Sequence, residues 1–312
     1  MRRGGEPNMR HFTNALVFVS GPTDPVLQHA RRLAVAHRTT ITVADVLEQA
    51  PAFLRPLLPR AWNVPKLLRA QKLASLDRVA SRLRRLGVET RIRLLEGPPV
   101  KALVREVASA HHDLVLTAVS APGVVQSAGT TAARLVRECP CPTLLARPGR
   151  RRRYRVLIAI DPAPLDRRNA AMNALLLETG IAMADVDKQE PHVLHAWDVY
   201  DERYLRRHGL RADEMEQFVV KAQEKAREAL ERTIAPYRRH LSARHVHLER
   251  GTPRKVIPAF VVNHGIELLV IGTVARSGLA RHLIGNTAEV LLGQMPCSML
   301  VVRPGKPAKA SS

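Results

Sequence analysis

Short apolar runs alternate with amphipathic stretches along the chain, a pattern that predicts strands alternating with helices. In the second half the apolar runs are nearly continuous, as in parallel strands covered on both faces. They fall at residues 156–160, 192–197, 245–248, 268–271 and 298–302. Helical patterns fill the gaps at 167–184, 213–239, 255–263 and 287–293. Asp213 followed by Glu216 predicts a capping box at the start of the long helix.

The two halves of the chain repeat each other. The first half closes with a Gly-Thr-Thr-Ala string at 129–132 and an Arg-Pro pair at 147–148, and the second with Gly-Asn-Thr-Ala at 285–288 and Arg-Pro at 303–304. A fused duplication explains this repeat, and 312 residues suffice for two domains. We therefore predict two domains, a solvated basic linker and a flexible tail. The domains are residues 11–148 and 155–304, the linker is 149–154, and the tail is 305–312.

Each half is predicted to be an α/β domain of the doubly wound class. Right-handed crossovers wind five parallel strands into a sheet and place helices on both of its faces. In such sheets ligands bind outside the carboxyl ends of the strands, where the strand order reverses. The loops that follow the strands are therefore the place to look for function.

Composition and charge narrow the class of protein. Apolar residues make up 46% and aromatic residues 4%, which predicts an aliphatic core. No apolar run reaches the roughly 18 to 20 residues of a membrane span, and no signal-peptide core follows the charged start, so we expect a cytoplasmic protein with no membrane partner. The three cysteines make a poor disulfide framework, and reduced thiols are expected.

A net charge of +21 suggests nucleic acid as a partner. The arginines are scattered along predicted helices, and the sequence contains no recognised reader motif. Nucleic-acid binding is therefore the disfavoured alternative.

Two glycine-bearing turns bracket the loop after the fourth strand of the second half. Gly272 opens the loop, and Gly285 leads directly into a helix. Such turns point backbone N–H groups and the positive end of a helix dipole at phosphate oxygens. Arg276 and Arg281 add positive charge at the same place.

This loop resembles the signature of the universal stress protein family, in particular its tandem type E subgroup. That signature is a glycine, two residues, a glycine, nine residues, then glycine and Ser or Thr. The spacing matches, but Ala275 replaces the second glycine and Asn286 replaces the Ser or Thr. Ala275 disfavours positive φ, and Asn286 is a good helix N-cap that leaves the backbone N–H groups in place.

The resemblance implies an adenine nucleotide alpha hydrolase-like fold and a site for ATP, with Mg²⁺, in the second half. Asp161 would lie near the ribose and the metal-bound phosphates, and Ala196 would line the adenine pocket. The remaining residues would flank the triphosphate from its two sides. They are Gly272, Ala275 and Arg276 on one side, and Gly285, Asn286 and Thr287 on the other.

The first half departs further from the family pattern. Its first strand leads to Ser20 and Gly21 instead of an aspartate, and Ala118 and Pro122 disrupt the loop after its fourth strand. We predict that this half binds no ATP and pairs with the second half as in the family's dimers, with the fifth strands adjacent. A further homodimer stays open.

The favoured function is a stress-response regulatory protein that binds ATP or a related adenine nucleotide. Three alternatives stay open: a structural or ligand-binding stress protein without nucleotide, a weak ATPase, and the nucleic-acid binder. No residue is assigned a catalytic role, and any ATP hydrolysis is expected to be slow. His245 and His247 share one face of a predicted strand, but no third metal ligand is evident, so no metal site is assigned.

Overall fold

The computed structural model describes residues 11–19, 24–48, 64–119, 130–149, 154–162, 167–199, 211–273 and 286–303. Strands and helices alternate through these residues. The strands are β1 (Asn14–Phe18), β2 (Thr40–Leu47), β3 (Thr90–Glu96), β4 (Leu114–Ala118), β5 (Thr143–Ala146), β6 (Val156–Ala159), β7 (His192–Trp197), β8 (Val246–Arg250), β9 (Leu268–Gly272) and β10 (Ser298–Val302). The α-helices are α1 (Asp24–His37), α2 (Val64–Arg84), α3 (Pro99–Ser109), α4 (Thr131–Glu138), α5 (Arg167–Asp185), α6 (Ala212–Ile234), α7 (Pro253–His264) and α8 (Asn286–Gln294).

The ten described strands form one continuous sheet in the order β3-β2-β1-β4-β5-β10-β9-β6-β7-β8. Within each half the five strands are parallel. The halves meet at their fifth strands, which pair antiparallel with Leu144 opposite Leu300. The predicted fold class is therefore confirmed, and the fifth strands are neighbours as the resemblance implies.

The sheet is covered on both faces because its strands bury side chains in both directions. In β1, Ala15 and Val17 pack into a core that also contains residues of α1, α2, α5 and α6. Leu16 and Phe18 point the other way, into a core with α3 and α4. The same face of the second half is covered by α7 and α8. The alternation follows from the two-residue period of a strand.

The long helix of the second half differs from its prediction at both ends. It ends at Ile234 and continues as a 3-10 segment, Ala235–His240, which has Pro236 in its first turn. Proline donates no hydrogen bond and interrupts an α-helix. The predicted capping box at Asp213 is wrong. Helix α6 is capped at Arg211, whose backbone N–H donates to Glu214 at 2.9 Å and whose guanidinium donates to Asp213 at 2.8 Å.

A buried polar network joins the two halves. The Tyr154 hydroxyl lies 2.8 Å from His29 Nδ1, and His29 Nε2 lies 3.0 Å from Ser298 Oγ. Ser298 Oγ also accepts a 3.0 Å bond from the backbone N–H of Arg147. Arg147 and Tyr154, on either side of the linker residues 149–153, are both buried, whereas Gly149 is exposed. Residues 150–153 and the predicted tail at 305–312 lie outside the described residues.

Candidate functional site

The candidate site of the second half lies at the switch in strand order between β6 and β9. Strand β6 leads to α5, whose Leu176 packs on one face of the sheet. Strand β9 precedes α8, whose Leu291 packs on the opposite face. Neighbouring parallel strands that send their chains to opposite faces leave a crevice at their carboxyl ends. Asp161, two residues after β6, and Gly272, the last residue of β9, lie at this edge.

The main chain of Asp161 is held by two asparagines of α5. Its carbonyl oxygen accepts bonds from Asn169 Nδ2 at 2.6 Å and Asn173 Nδ2 at 2.8 Å. Its N–H donates to Asn173 Oδ1 at 3.2 Å. Sequence reasoning missed both asparagines, although their spacing of four residues places them on one face of a helix. They fix the backbone of the loop that carries the Asp161 carboxylate.

Gly272 is required by the packing of α5 against the end of β9. A Cβ atom at this position would lie 2.9 Å from Met172 Sδ and 3.5 Å from Leu176 Cδ1. The next residue, Thr273, is buried, and its N–H donates to Val302 O at 3.1 Å. The close approach of α5 thus accounts for a glycine here whether or not a phosphate binds nearby.

Ala196 lies half-buried near the carboxyl end of β7, opposite Glu249 of β8. The next carbonyl along the strand, that of Trp197, accepts a 2.7 Å bond from the N–H of Gly251. Gly251 has φ +136, a conformation that favours glycine. Because β7 runs parallel to β6, Ala196 lies at the same edge of the sheet as Asp161.

The structure brings three of the eight predicted site residues to neighbouring strands. Asp161 and Gly272 follow the paired strands β6 and β9, and Ala196 lies on β7, the other neighbour of β6. Asn286 and Thr287 are the first two residues of α8, and their side chains are not among the described ones. Ala275, Arg276 and Gly285 lie outside the described residues. The roles assigned to all eight stay predictions.

The corresponding crevice of the first half is built differently. Val19 N donates to Ala44 O as Ile160 N donates to Leu194 O, so Ala44 corresponds to Leu194. It follows that Val46, which is buried, stands where the second half has Ala196. Asp45 stands where the second half has His195, and both of its carboxylate oxygens accept bonds of 2.8 Å from Lys72 Nζ.

In the first half, the turn that leads into α4 satisfies part of its own hydrogen-bonding capacity. Thr130 is the N-cap of α4, and its side chain accepts a 3.2 Å bond from the backbone N–H of Ala133. A donor bonded within the protein is less available to an anion at the helix end. The first half thus has a buried valine at the position of Ala196 and, at the preceding position, a carboxylate paired with Lys72.

Histidines and cysteines form further side-chain groups. His245 and His247 are joined by His192 and His264, which sequence reasoning did not connect with them. Among the described His, Cys, Asp and Glu side chains, no three converge as the ligands of one metal ion would.

The described cysteines Cys139, Cys141 and Cys297 are free and buried, with the first two sulfur atoms 3.5 Å apart. None of the described helices has the length and apolar character needed to cross a membrane.

The fold and its crevices define a duplicated, doubly wound α/β protein. The model of the universal stress protein family matches residues 11–147 and again 153–303. The chain therefore belongs to the universal stress protein family, as a tandem member with two family domains.

Comparison with individual proteins agrees with this assignment. Universal stress protein E of Escherichia coli K12 is 25% identical over 307 residues, which cover 95% of each chain. The universal stress protein E homolog of Haemophilus influenzae is 28% identical over 178 residues, 55% of each chain.

Two solved structures share the fold across nearly the whole chain. A functionally unknown protein from Pseudomonas aeruginosa PAO1 has a TM-score of 0.71 and 21% identity, covering 95% of this chain and 94% of that one. A universal stress protein from Archaeoglobus fulgidus has a TM-score of 0.62 and 18% identity, covering 94% and 97%.

Proposed function

We propose that this tandem universal stress protein is a stress-response regulator that binds ATP or a related adenine nucleotide, with Mg²⁺, in its second half. The observation that carries the proposal is the fixed backbone of Asp161 at the switch point. Two asparagine side chains hold that backbone, which places a carboxylate-bearing residue at the edge where doubly wound sheets bind ligands.

The residues around Asp161 fit a nucleotide in size and chemistry. A carboxylate is a suitable ligand for Mg²⁺ that is bound to phosphate groups. Asp161 would therefore hold the metal ion of MgATP at this edge of the sheet. Ala196 is a small residue, so the carboxyl end of β7 leaves room beside Asp161. The first turn of α8 adds backbone N–H groups and the positive end of a helix dipole, which favour phosphate oxygens.

The first half takes a different role in this proposal. Val46 narrows the position that corresponds to Ala196, and the carboxylate of Asp45 is paired with Lys72. We propose that this half binds no ATP and supports the second half through the paired fifth strands.

Equilibrium titration with MgATP tests the proposal. The wild-type protein is expected to bind one equivalent saturably, with Kd no weaker than about a millimolar. Asp161→Asn removes the carboxylate charge and is expected to weaken binding at least about tenfold, or about 1.4 kcal/mol. Asp77→Asn is the matched control, because Asp77 is an exposed carboxylate on α2 whose contact with Arg84 is 4.0 Å long. Absence of saturable binding by the wild type, or equal loss in both variants, would contradict the proposal.

A structural stress protein without nucleotide is the second candidate, favoured by the packing of Gly272 on Met172. Packing alone would keep this glycine, so its presence does not separate the two functions. The MgATP titration does, because a purely structural member would show no saturable binding. Phosphate release in the same samples tests the weak ATPase, which requires a slower rate in Asp161→Asn than in Asp77→Asn.

A further inference from the structure

Four histidines of the second half form a cluster at the amino ends of β7 and β8. This end of the strands is opposite the crevice that Asp161 borders. His192 opens β7, His245 immediately precedes β8, His247 lies within β8, and His264 ends α7. The ring centroids of His192 lie 4.4, 5.3 and 5.8 Å from those of His245, His247 and His264, respectively. We refer to these four residues as the histidine cluster.

The hydrogen bond within the histidine cluster requires at least one neutral ring. His192 Nδ1 and His247 Nε2 are 3.1 Å apart, so one nitrogen donates a proton and the other accepts it. When both rings are protonated, all four nitrogens are donors and this bond is lost. His264 stacks on Phe260 at 3.8 Å between ring centroids, and its Nδ1 donates to the carbonyl of Phe260 at 3.1 Å.

The charged groups that face the cluster are mostly positive. Arg155, just before β6, donates to the carbonyl of His264 at 2.7 Å, and Arg244 precedes His245. The carboxylate of Glu190, before β7, lies 3.1 Å from His245 Nδ1. Glu190 is exposed and also accepts a bond from Ser242, so one solvated carboxylate faces four imidazoles and two arginines.

Burial and positive neighbours oppose protonation of the two bonded rings. Burial lowers the pKa of His192 to about 4, and electrostatic interactions with His245, His247, His264 and Arg155 lower it further. Burial also lowers the pKa of His247 to about 4, with further contributions from His264 and His245. Both rings are therefore neutral near neutral pH and acquire charge at a cost on acidification.

The cluster lies at one edge of the described sheet. Strand β8 is the last strand of the described sheet and pairs with β7. Its residues are half-buried or exposed, in contrast to the buried strands β9 and β10. An edge strand with little buried apolar surface opens more readily than a central strand. The histidine cluster therefore adds side-chain contacts to the backbone pairing of β8 with β7 and to the packing of Val246 and Leu248 on the core.

The first half provides an internal comparison, because its edge strand β3 carries no such cluster. Since Ala44 corresponds to Leu194, the strand registers match Thr42 with His192. The same registers match Arg91 with His245 and Arg93 with His247. These arginines pair with Glu89 at 3.2 Å and Glu106 at 3.5 Å. Arginine keeps its charge at every pH that a folded protein tolerates.

We propose that the histidine cluster is an acid-sensitive contact that holds edge strand β8 and the end of α7 on β7 and releases them when its rings become protonated. Opening returns His192 and His247 to solvent and to the ordinary histidine pKa of 6.5. The open state then binds protons that the closed state excludes, so acidification favours opening. Between about pH 6.5 and about pH 4, each of these histidines raises the opening equilibrium constant up to about tenfold per pH unit.

Hydrogen exchange followed by mass spectrometry tests the proposal on the intact protein. Protection factors, corrected for the intrinsic exchange rate, are compared for β8 and β3 between about pH 7 and about pH 5. Protection of β8 is expected to fall at least about tenfold more than that of β3 over this range. His247→Gln removes one of the two titrating rings and is expected to reduce this difference by about half on a logarithmic scale, because His192 remains. His240→Gln, a histidine outside the cluster, is expected to leave it unchanged.

Two results would overturn the proposal. One is an equal pH response of β8 and β3 in the wild type, and the other is an undiminished difference in a folded His247→Gln variant. If that variant fails to fold, NMR titration of the wild-type imidazoles decides. Two rings that titrate below about pH 5 support the proposal, and four independent titrations near the ordinary value contradict it.

Discussion

Gly272 is a position where both the glycine motif of the loop and the packing of a helix favour glycine. Its place in the glycine spacing identifies it from the sequence as a candidate phosphate-side residue. The structure adds that α5 approaches so closely that a Cβ atom would lie 2.9 Å from Met172 Sδ. The motif could be predicted from the sequence, but the steric partner could not, because it depends on how α5 docks on the sheet.

Gly272→Ala is expected to destabilise the protein by about 1 to 3 kcal/mol, the usual cost of overpacking a core. Met172→Ala in the same chain removes the obstructing atoms and is expected to restore part of the loss relative to Met172→Ala alone. Urea unfolding measures these free energies. Gly149→Ala is the control, because a Cβ atom there would meet Glu267 at an ordinary 3.6 Å. Equal unfolding free energies for Gly272→Ala and the wild type would contradict the packing role.

Helices and strands were predictable where local pattern and tertiary packing agree. The predicted bounds of β7 and β10 match the structure, and α5 differs from its prediction by one residue. The long helix ends early because Pro236 converts its last turns to a 3-10 segment. The docking of α5 and α7 on the sheet determines the contacts of Asn169, Asn173 and His264. The periodicity of a single helix does not specify such contacts between elements.

Helix α5 also packs tightly on β6 through Gly180. Alanine normally stabilises a helix interior by about 1 kcal/mol relative to glycine. Here a Cβ atom would lie 2.3 Å from Ile158 Cγ1, so the sign is reversed. Gly180→Ala is expected to destabilise the protein by about 1 to 3 kcal/mol in urea unfolding.

The double variant Gly180→Ala with Ile158→Ala serves as the test of this contact. It is expected to lose less stability than the sum of the two single substitutions, because the second removes the atoms that the first displaces. Additive losses would mean that the contact between α5 and β6 is not the cause.

The whole molecule is united by contacts between its halves, and His29 lies at their centre. Burial, which is the larger effect, and the neighbouring charge of Arg32 lower the pKa of His29 to about 3. The unfolded chain protonates this histidine below about pH 6.5, whereas the folded chain keeps it neutral. The unfolded state thus binds more protons, and stability falls as the pH falls from about 6.5 to about 3.

His29→Leu is expected to reduce the pH dependence of the unfolding free energy by about 1.4 kcal/mol per pH unit in this range, which corresponds to one proton. The variant is also expected to be less stable at neutral pH, because Tyr154 and Ser298 lose a buried partner. The slope of the unfolding free energy against pH reports the loss of the titrating ring, and the free energy at neutral pH reports the loss of the buried contacts. His240→Leu, at a half-buried position away from this network, is expected to keep the wild-type slope. An unchanged slope in His29→Leu would contradict the assignment.

The antiparallel pairing of β5 with β10 determines where the two crevices open. All strands of one half run opposite to those of the other, so their carboxyl ends lie along opposite margins of the shared sheet. A molecule bound beside Asp161 and one bound near Val46 would therefore face solvent in opposite directions and could not touch. Communication between the two positions must pass through the central strands and the core that α1 and α5 share, and binding partners can approach each margin independently.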